Sequence, residues 1–137
     1  MAVDGSLVAT IGRITGLINE AADRQRPYVE KICTACPSPC CTRVHYLYTE
    51  ADLHFLKLAG EKRRWRADAM QTAGCWFLGP GGCTLAPAAR PMICHRYICP
   101  DLETEMNRRE PDLLSTLGEK FRQIGDLQRR LMALSGP

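Results

Sequence analysis

Apolar residues recur every three or four positions between residues 6 and 32, at the N-terminal end of the chain. They are Leu7, Ile11, Ile14, Ile18 and Ala21 or Ala22. This spacing places them on one stripe of an amphipathic helix. Ser6 is the expected N-cap of that helix. Pro27 predicts that the helix ends or kinks near Gln25 before continuing to Ile32, because proline removes a hydrogen-bond donor and clashes with the preceding turn.

The C-terminal segment carries a longer stripe of the same kind. Its apolar residues are Leu113, Leu114, Leu117, Phe121, Ile124, Leu127, Leu131 and Met132. They keep helical spacing for about six turns of 3.6 residues. Pro111 suits the first turn of this helix, where its missing N–H costs nothing. Each stripe needs an apolar partner, so we expect the two terminal helices to pack against each other.

Two further helices are predicted in the middle of the chain. Thr49-Glu50-Ala51-Asp52 has the form of a capping box and precedes an apolar run, which predicts a compact helix that stops at Gly60. Residues Glu61 to Ala73 include many good helix formers and few apolar anchors, so a third, mostly exposed helix is expected there.

The remaining segments predict extended and irregular structure. Gly79-Pro80-Gly81-Gly82 predicts a tight hairpin between two short strands, Cys75 to Leu78 and Cys83 to Leu85. Such a hairpin often presents two thiols to one metal. Arg43 to Tyr48 could form a short extended piece, and Asp101 to Glu110 is interpreted as a polar stretch before the last helix.

Composition indicates one soluble domain spanning residues 1–137. Of the 137 residues, 45% are hydrophobic and 24% are charged, and the formal net charge is +3. No apolar run approaches the ~18 residues that a membrane span requires, so no membrane contact is expected. The N-terminus lacks the basic region and continuous apolar region of a signal peptide, which predicts a cytoplasmic location.

Eight cysteines divide into two groups of four. They are Cys33, Cys36, Cys40 and Cys41 upstream, and Cys75, Cys83, Cys94 and Cys99 downstream. A reducing compartment keeps thiols available for metal, so disulfides are the less favoured interpretation. The sequence therefore predicts a mainly α fold, a small helical domain with two long terminal helices packed around a cysteine-rich metal-binding loop and hairpin core.

The spacing of the cysteines suits zinc or an iron–sulfur cluster and does not separate the two. Cys33 and Cys36 form a C-x2-C pair that can reach a single metal. Adjacent side chains diverge, so one of Cys40 and Cys41 is expected to join that pair while its neighbour turns toward the downstream group. The alternative is that one of the two is a spare or bridging thiol. His95 is the best of the three histidines as an additional ligand, and its role is left open.

Two arginines are candidate cofactor-binding residues. Arg90 and Arg96 lie within a few residues of the downstream thiols, where cations stabilise thiolates. The proline that follows Arg90 fixes the backbone beside it, so its guanidinium could donate to cluster sulfurs or offset their charge. A surface arginine before a turn proline is the alternative interpretation for Arg90.

The cysteine motifs together resemble the YkgJ-like cysteine-cluster family. The matching segments are Cys33 to Cys41, Cys75-Trp76-Phe77-Leu78, Gly82-Cys83-Thr84-Leu85, Arg90-Pro91-Met92-Ile93-Cys94 and Tyr97-Ile98-Cys99. Members are bacterial proteins described as zinc- or iron-chelating domains, and a related cluster occurs in flagellin lysine-N-methylases. The resemblance implies metal binding by all eight cysteines. The first motif here has one extra residue before the double cysteine, His95 replaces a common arginine, and the tyrosine often seen after the third cysteine group is replaced around Ala86.

These observations predict a metal-binding protein that acts in redox chemistry, in metal handling or as an accessory to a modification enzyme. An iron–sulfur cluster, of the [4Fe–4S] kind, is slightly favoured over zinc, and a protein partner is expected. Whether the chain is an enzyme is left open. The alternative is an interaction module folded around structural zinc, with Lys62-Arg63-Arg64-Trp65-Arg66 as a basic face for protein or, less favoured, nucleic acid. Methyl transfer is the least favoured hypothesis.

Overall fold

The chain is mainly helical in the computed structural model. The model describes residues 5–32, 49–59, 70–71, 74–75, 78–79, 82–83, 86–90, 92–96 and 98–135. The helices in these ranges are α1 (Gly5–Ile32), α2 (Glu50–Ala59), α3 (Ile93–Arg96), α4 (Pro100–Arg109) and α5 (Leu113–Ser135). A 3-10 turn, Pro87–Ala89, precedes α3. The predicted mainly α fold is confirmed.

The terminal helices α1 and α5 pack against each other, as the sequence predicts. One buried cluster joins the middle of α1 to the second half of α5 and contains Ile14, Leu17, Ile18, Phe55, Leu56, Met92, Ile124 and Leu131. A second cluster joins the end of α1 to the start of α5 and contains Ala21, Tyr28, Leu102, Met106, Leu113 and Leu117. This order makes the two helices antiparallel. Burying each large apolar side chain contributes about 1.5–3 kcal/mol, so these clusters hold the fold together.

Helix α1 does not end near Gln25, which is one of the two outcomes predicted at Pro27, because it continues through Pro27 to Ile32. Pro27 is exposed, and the residues on either side of it are anchored. Gln25 and Tyr28 are both buried, and the Tyr28 hydroxyl donates to Glu110 Oε1 at 2.6 Å. Tertiary packing therefore outweighs the cost of one lost helical hydrogen bond. Ser6 is also not the N-cap, since the helix already begins at Gly5.

Helix α4 occupies the polar stretch Asp101 to Glu110, for which no helix is predicted. Pro100 opens it, and acidic residues in its first turn and basic residues in its last turn suit the helix dipole. Only Leu102 and Met106 are buried, so its apolar stripe is too sparse to recognise from spacing. Glu105 of α4 pairs with Lys31 Nζ at 3.2 Å, which ties α4 to the C-terminal end of α1.

Helix α2 begins as the capping box predicts. Thr49 Oγ1 accepts the backbone N–H of Asp52 at 3.1 Å, and the Thr49 carbonyl accepts the N–H of Leu53 at 3.1 Å. Phe55 and Leu56 are buried against α1 and α5. The carboxylate of Asp52 points into the protein instead of returning to the Thr49 backbone, so this N-terminus is half of a capping box.

Four two-residue strands form two antiparallel ladders. Strand β1 (Met70–Gln71) pairs with β2 (Gly74–Cys75), and β3 (Leu78–Gly79) pairs with β4 (Gly82–Cys83). The predicted hairpin at Gly79 to Gly82 is confirmed.

Two expectations for this central region are wrong. Residues 70–71 are extended rather than the end of a helix, because pairing with residues 74–75 overrides a helix propensity that few apolar anchors support. The predicted strand from Cys75 to Leu78 is divided between the two ladders, because Cys75 pairs with Met70 in one and Leu78 pairs with Cys83 in the other. Residues 43–48 and 60–69 lie outside the described ranges. Three predictions fall in these segments: the extended piece at 43–48, the helix stop at Gly60 and the basic segment at 62–66.

No helix in the described ranges combines the length and the apolarity needed to cross a bilayer.

Replacing Gly12 by alanine is expected to raise the free energy of unfolding by about 1 kcal/mol, because alanine loses less backbone entropy on helix formation. Gly12 lies in α1, and a Cβ added there would meet no atom within 4 Å. The measurement is urea unfolding of Gly12→Ala, with Ala9→Gly on the same exposed face as the matched control. Ala9→Gly should lower the free energy by a similar amount. A destabilised Gly12→Ala would mean that this face of α1 is covered.

Candidate metal-binding site

The eight predicted ligands divide by how much of each the structure describes. Cys33, Cys36, Cys40 and Cys41 lie outside the described residues. Cys75 and Cys83 are described by their backbone, which ends one short strand in each ladder. Only Cys94 and Cys99 are described with their side chains. The geometry of the site can therefore be built from these last two.

Cys94 and Cys99 lie on either side of the short connection from α3 to α4. Cys94 is exposed on α3, and Cys99 is half-buried at the N-cap of α4. Neither forms a disulfide. The Cys99 carbonyl accepts the N–H of Glu103 at 2.9 Å, and this bond fixes Cys99 to the first turn of α4. The two thiols are thus presented by ordered backbone, as a metal site requires.

A buried carboxylate from α2 holds the turn that leads into α3. Asp52 is 2% exposed, and its Oδ2 accepts the backbone N–H of Met92 at 2.6 Å. Its Oδ1 accepts the side-chain amide of Gln128, from α5, at 3.1 Å. Both carboxylate oxygens are therefore satisfied, and the backbone two residues before Cys94 is fixed to two helices.

His95 holds the same turn from the other side. Its ring is 3% exposed, and Nε2 donates to the Pro87 carbonyl at 2.8 Å, which ties α3 to the preceding 3-10 turn. The His95 carbonyl accepts the side-chain amide of Gln25, from α1, at 3.1 Å. This burial and this bond give His95 a structural role. They do not support the suggestion that it is an additional ligand.

Together, three helices fix the segment that carries Cys94. Asp52, Gln25 and Gln128 come from α2, α1 and α5, and each is buried and hydrogen-bonded to this segment or to a residue that holds it. In the sequence, Asp52 is recognisable only as part of a capping box, and nothing predicts the hydrogen bonds of the two glutamines. A signal for the glutamines was present, since both occupy apolar-stripe positions of their helices.

The two candidate cofactor-binding arginines differ in position. Arg90 is half-buried, and its backbone N–H donates to the Pro87 carbonyl at 3.2 Å. Arg96 is exposed at the end of α3. Their expected contact with a metal centre stays a prediction. Of the other histidines, His54 is half-buried on α2, and His45 lies outside the described residues.

The C-terminal end of α1 and the N-terminal end of α4 pack on one buried cluster. Ile32, the last residue of α1, packs against the same buried cluster as Ile98 and Cys99. Helix α1 also lies antiparallel to α4, because Lys31 pairs with Glu105 while Arg24 pairs with Glu110. In the sequence, Cys33 follows Ile32 directly.

Burial sets the charge states of the two titratable groups in this region. Burial raises the pKa of Asp52 from 3.8 to about 6, against the opposing effects of the Met92 N–H, the Gln128 amide and the charge of Arg96. Burial lowers the pKa of His95 from 6.5 to about 4, although its bond to the Pro87 carbonyl opposes this and the charge of Arg90 adds to it. At neutral pH Asp52 is charged and His95 is neutral.

These two shifts predict opposite dependences of stability on pH between about 4.5 and 6. Folded Asp52 binds its proton more tightly than the unfolded chain does, so its contribution to stability falls as the pH rises; folded His95 binds its proton less tightly, so its contribution rises. As the pH rises from about 4.5 to 6, the free energy of unfolding of Asp52→Asn should therefore increase by about 2 kcal/mol. That of His95→Gln should decrease by a similar amount over the same rise in pH. The parent protein should change little.

Urea unfolding at several pH values within this range checks the prediction. Ion pairs and hydrogen bonds lower the pKa values of the surface carboxylates Glu20, Glu105, Glu110 and Glu119 below 4.5. Their contributions begin to be lost about one pH unit above that value, but they are common to the parent and both variants, so the prediction concerns the difference in slope between the parent and each variant. Equal slopes in the parent and both variants would contradict the buried positions of Asp52 and His95.

No group of three histidine, cysteine or acidic side chains converges among the side chains that the structure describes. That set includes two of the eight predicted ligands, Cys94 and Cys99. Comparisons with family models, curated proteins and solved structures find no match to the chain. The resemblance to the YkgJ-like family therefore rests on the cysteine motifs and stays a prediction.

Proposed function

We propose that this chain is a metal-binding protein in which thiolates from both cysteine groups hold an iron–sulfur cluster or zinc. The chemistry of the donor set supports this proposal, because eight thiols in one short chain match these metals and exceed what one closed zinc site uses. In a reducing compartment the thiols would be available as ligands.

One observation carries the proposal furthest: the end of α1 and the start of α4 pack on one buried cluster. Ile32 precedes Cys33 in sequence, and Cys99 packs on that cluster itself. Thiols from both groups could then bind one metal at this end of the two helices, although the two groups are far apart in sequence. A metal bound there would link the two segments and stabilise the helices that flank them.

The rigidity of the Cys94 segment is the second support. A thiolate site needs its ligands held in orientation by surrounding hydrogen bonds. Two buried polar side chains, Asp52 and Gln25, form hydrogen bonds with the backbone beside Cys94, and Gln128 holds Asp52, while Cys94 itself stays exposed. A turn that served packing alone would not need an exposed cysteine at its centre. When bound, the metal would supply electron transfer if it is a cluster, or structural cross-linking if it is zinc.

The visible absorption spectrum of anaerobically purified protein, with iron, acid-labile sulfide and zinc measured on the same sample, tests which centre is bound. We expect a brown protein with iron and sulfide in equal amounts. A colourless protein that holds zinc would reject the cluster and retain thiolate metal binding. A colourless protein without either metal would reject the proposed function.

A further inference from the structure

A groove runs along α5 beside the segment that carries Cys94 and Cys99. Its volume is about 530 Å³. Its wall opposite α5 includes Arg96 and Ile98, which lie between the two thiols in sequence. A smaller cleft of about 260 Å³ adjoins it, with Arg96, Phe121, Gly125 and Arg129 lining both. The two form one depression next to the proposed metal ligands.

Glycines keep the floor of this groove open. Gly118 and Gly125 lie seven residues apart on α5, which is about two helical turns. A Cβ at Gly118 would meet no atom within 4 Å, and one at Gly125 would meet only Arg129 Nη1, at 3.6 Å. The side chains beside them are apolar, with Phe121 and Leu114 half-buried. Another backbone can therefore approach α5 closely over an apolar surface.

Arginine side chains line the groove. Among the described residues that line its larger part, three are arginines, Arg96, Arg122 and Arg129, and none is acidic, whereas Asp52 lines the adjoining cleft. Arg122 pairs with Glu119 and Asp126, and Arg129 pairs with Asp126. These pairs are exposed, where each contributes about 0–1 kcal/mol, so a competing carboxylate can replace them at little cost.

The dimensions favour a helical occupant over a small anion. From Leu114 to Arg129 the axis of α5 rises about 22 Å, the length of about 15 helical residues. Arg122 and Arg129 lie seven residues apart, so a helix with carboxylates at the same spacing meets both charges, whereas a single anionic group meets one. A nucleic acid backbone offers charge without the apolar face that the floor requires.

We propose that this groove docks an acidic amphipathic helix of a partner protein, with its apolar face on Phe121 and the two glycines and its carboxylates on the arginines. The groove is defined by its own side chains and needs no metal. The consequence, that the partner is held beside Cys94 and Cys99, rests on the proposed metal-binding function. Such a position suits the exchange of metal or electrons with that partner.

The probe is a phage-displayed library of random peptides of about 16 residues, long enough to follow the groove as a helix. It is selected against the full anaerobically purified chain. We expect the enriched peptides to combine apolar residues at helical spacing with aspartate and glutamate. The best binder, made synthetically with a fluorophore, is then titrated by fluorescence anisotropy with the parent and with variants.

Gly118→Leu fills the open floor and should weaken binding of this peptide at least about tenfold, because it removes close apolar contact. Arg129→Gln should weaken binding about threefold and reduce its salt dependence. The matched controls are Gly12→Leu, which fills equally open space on α1, and Arg130→Gln, the neighbouring arginine outside the groove lining. Both controls should bind like the parent. Circular dichroism and metal content show whether each variant remains folded.

Enriched peptides without acidic residues, or equal affinity for the parent and a folded Gly118→Leu, would overturn the docking proposal. If a single-stranded oligonucleotide displaces the peptide and binds more weakly to Gly118→Leu than to the parent, the occupant of the groove would be a nucleic acid, and the proposed helical partner would be wrong. A metal-free protein that still binds the peptide would leave the groove intact and reject the metal-binding function. The two proposals therefore fail separately.

Discussion

Serine in place of Cys94 or Cys99 is expected to remove nearly all bound metal and to lower the stability of the chain. Both residues are thiols on ordered backbone next to α4. When a site is not formed in the unfolded chain, the free energy of metal binding is part of the free energy of folding. Metal content should fall to about a tenth of the parent value or less, and the melting temperature should fall with it. Cys75→Ser and Cys83→Ser should behave alike.

The matched control for Cys99→Ser is Ile98→Ala. Ile98 packs against the same buried cluster as Cys99 but carries no thiol. Ile98→Ala should lose about 1–3 kcal/mol of stability through its missing side chain and should keep its metal. Metal per chain and thermal unfolding are measured on all variants. Unchanged metal in any two of the four cysteine variants would contradict the ligand assignment.

Replacing Asp52 by alanine is expected to cost about 3 kcal/mol of unfolding free energy. The substitution leaves the Met92 N–H and the Gln128 amide buried without the acceptor that each now has. The Met92 backbone lies two residues before Cys94, so the turn should loosen and metal binding should weaken too. Urea unfolding and metal content measure the two effects.

Asp52→Asn is the matched control, because it keeps the size of the side chain and one carbonyl oxygen for the Met92 N–H. It should cost about 1 kcal/mol at neutral pH and retain metal. If Asp52→Ala and Asp52→Asn were equally mild, the carboxylate would not be what fixes this turn. If both lost metal completely, Asp52 would act on the site more directly than through the backbone of Met92.

The sequence predicts those parts of the fold that have a repeating apolar stripe. The stripes of α1 and α5 identify both helices and their mutual packing, and Thr49 identifies the start of α2. Helix α4 is not predicted, because it buries only Leu102 and Met106 and therefore has no recognisable apolar stripe. The sequence does not decide whether α1 ends or continues at Pro27, because the continuation depends on Glu110 and the side chains of α4, which are distant in sequence.

For the candidate site, sequence identifies which residues can bind metal and not what holds them in place. Cysteine spacing selects the eight thiols, but the bond from Asp52 to Met92 joins residues 40 positions apart, and that from Gln128 to Asp52 joins residues 76 apart. No local pattern records such pairs. For His95 the sequence leaves the role open: its position next to Cys94 suggests a ligand, while in the fold its buried ring donates to the Pro87 carbonyl.

The central claim is that thiolates of both cysteine groups hold metal, and metal and thiol counts on one anaerobically purified sample test it most directly. Cys94 is exposed, so a thiol reagent should modify it readily unless a metal protects it. We predict at least one zinc or one cluster per chain, slow modification of Cys94 in the native protein, and eight reactive thiols after denaturation with a chelator. A metal-free folded protein in which Cys94 and the upstream cysteines react at once would contradict the claim.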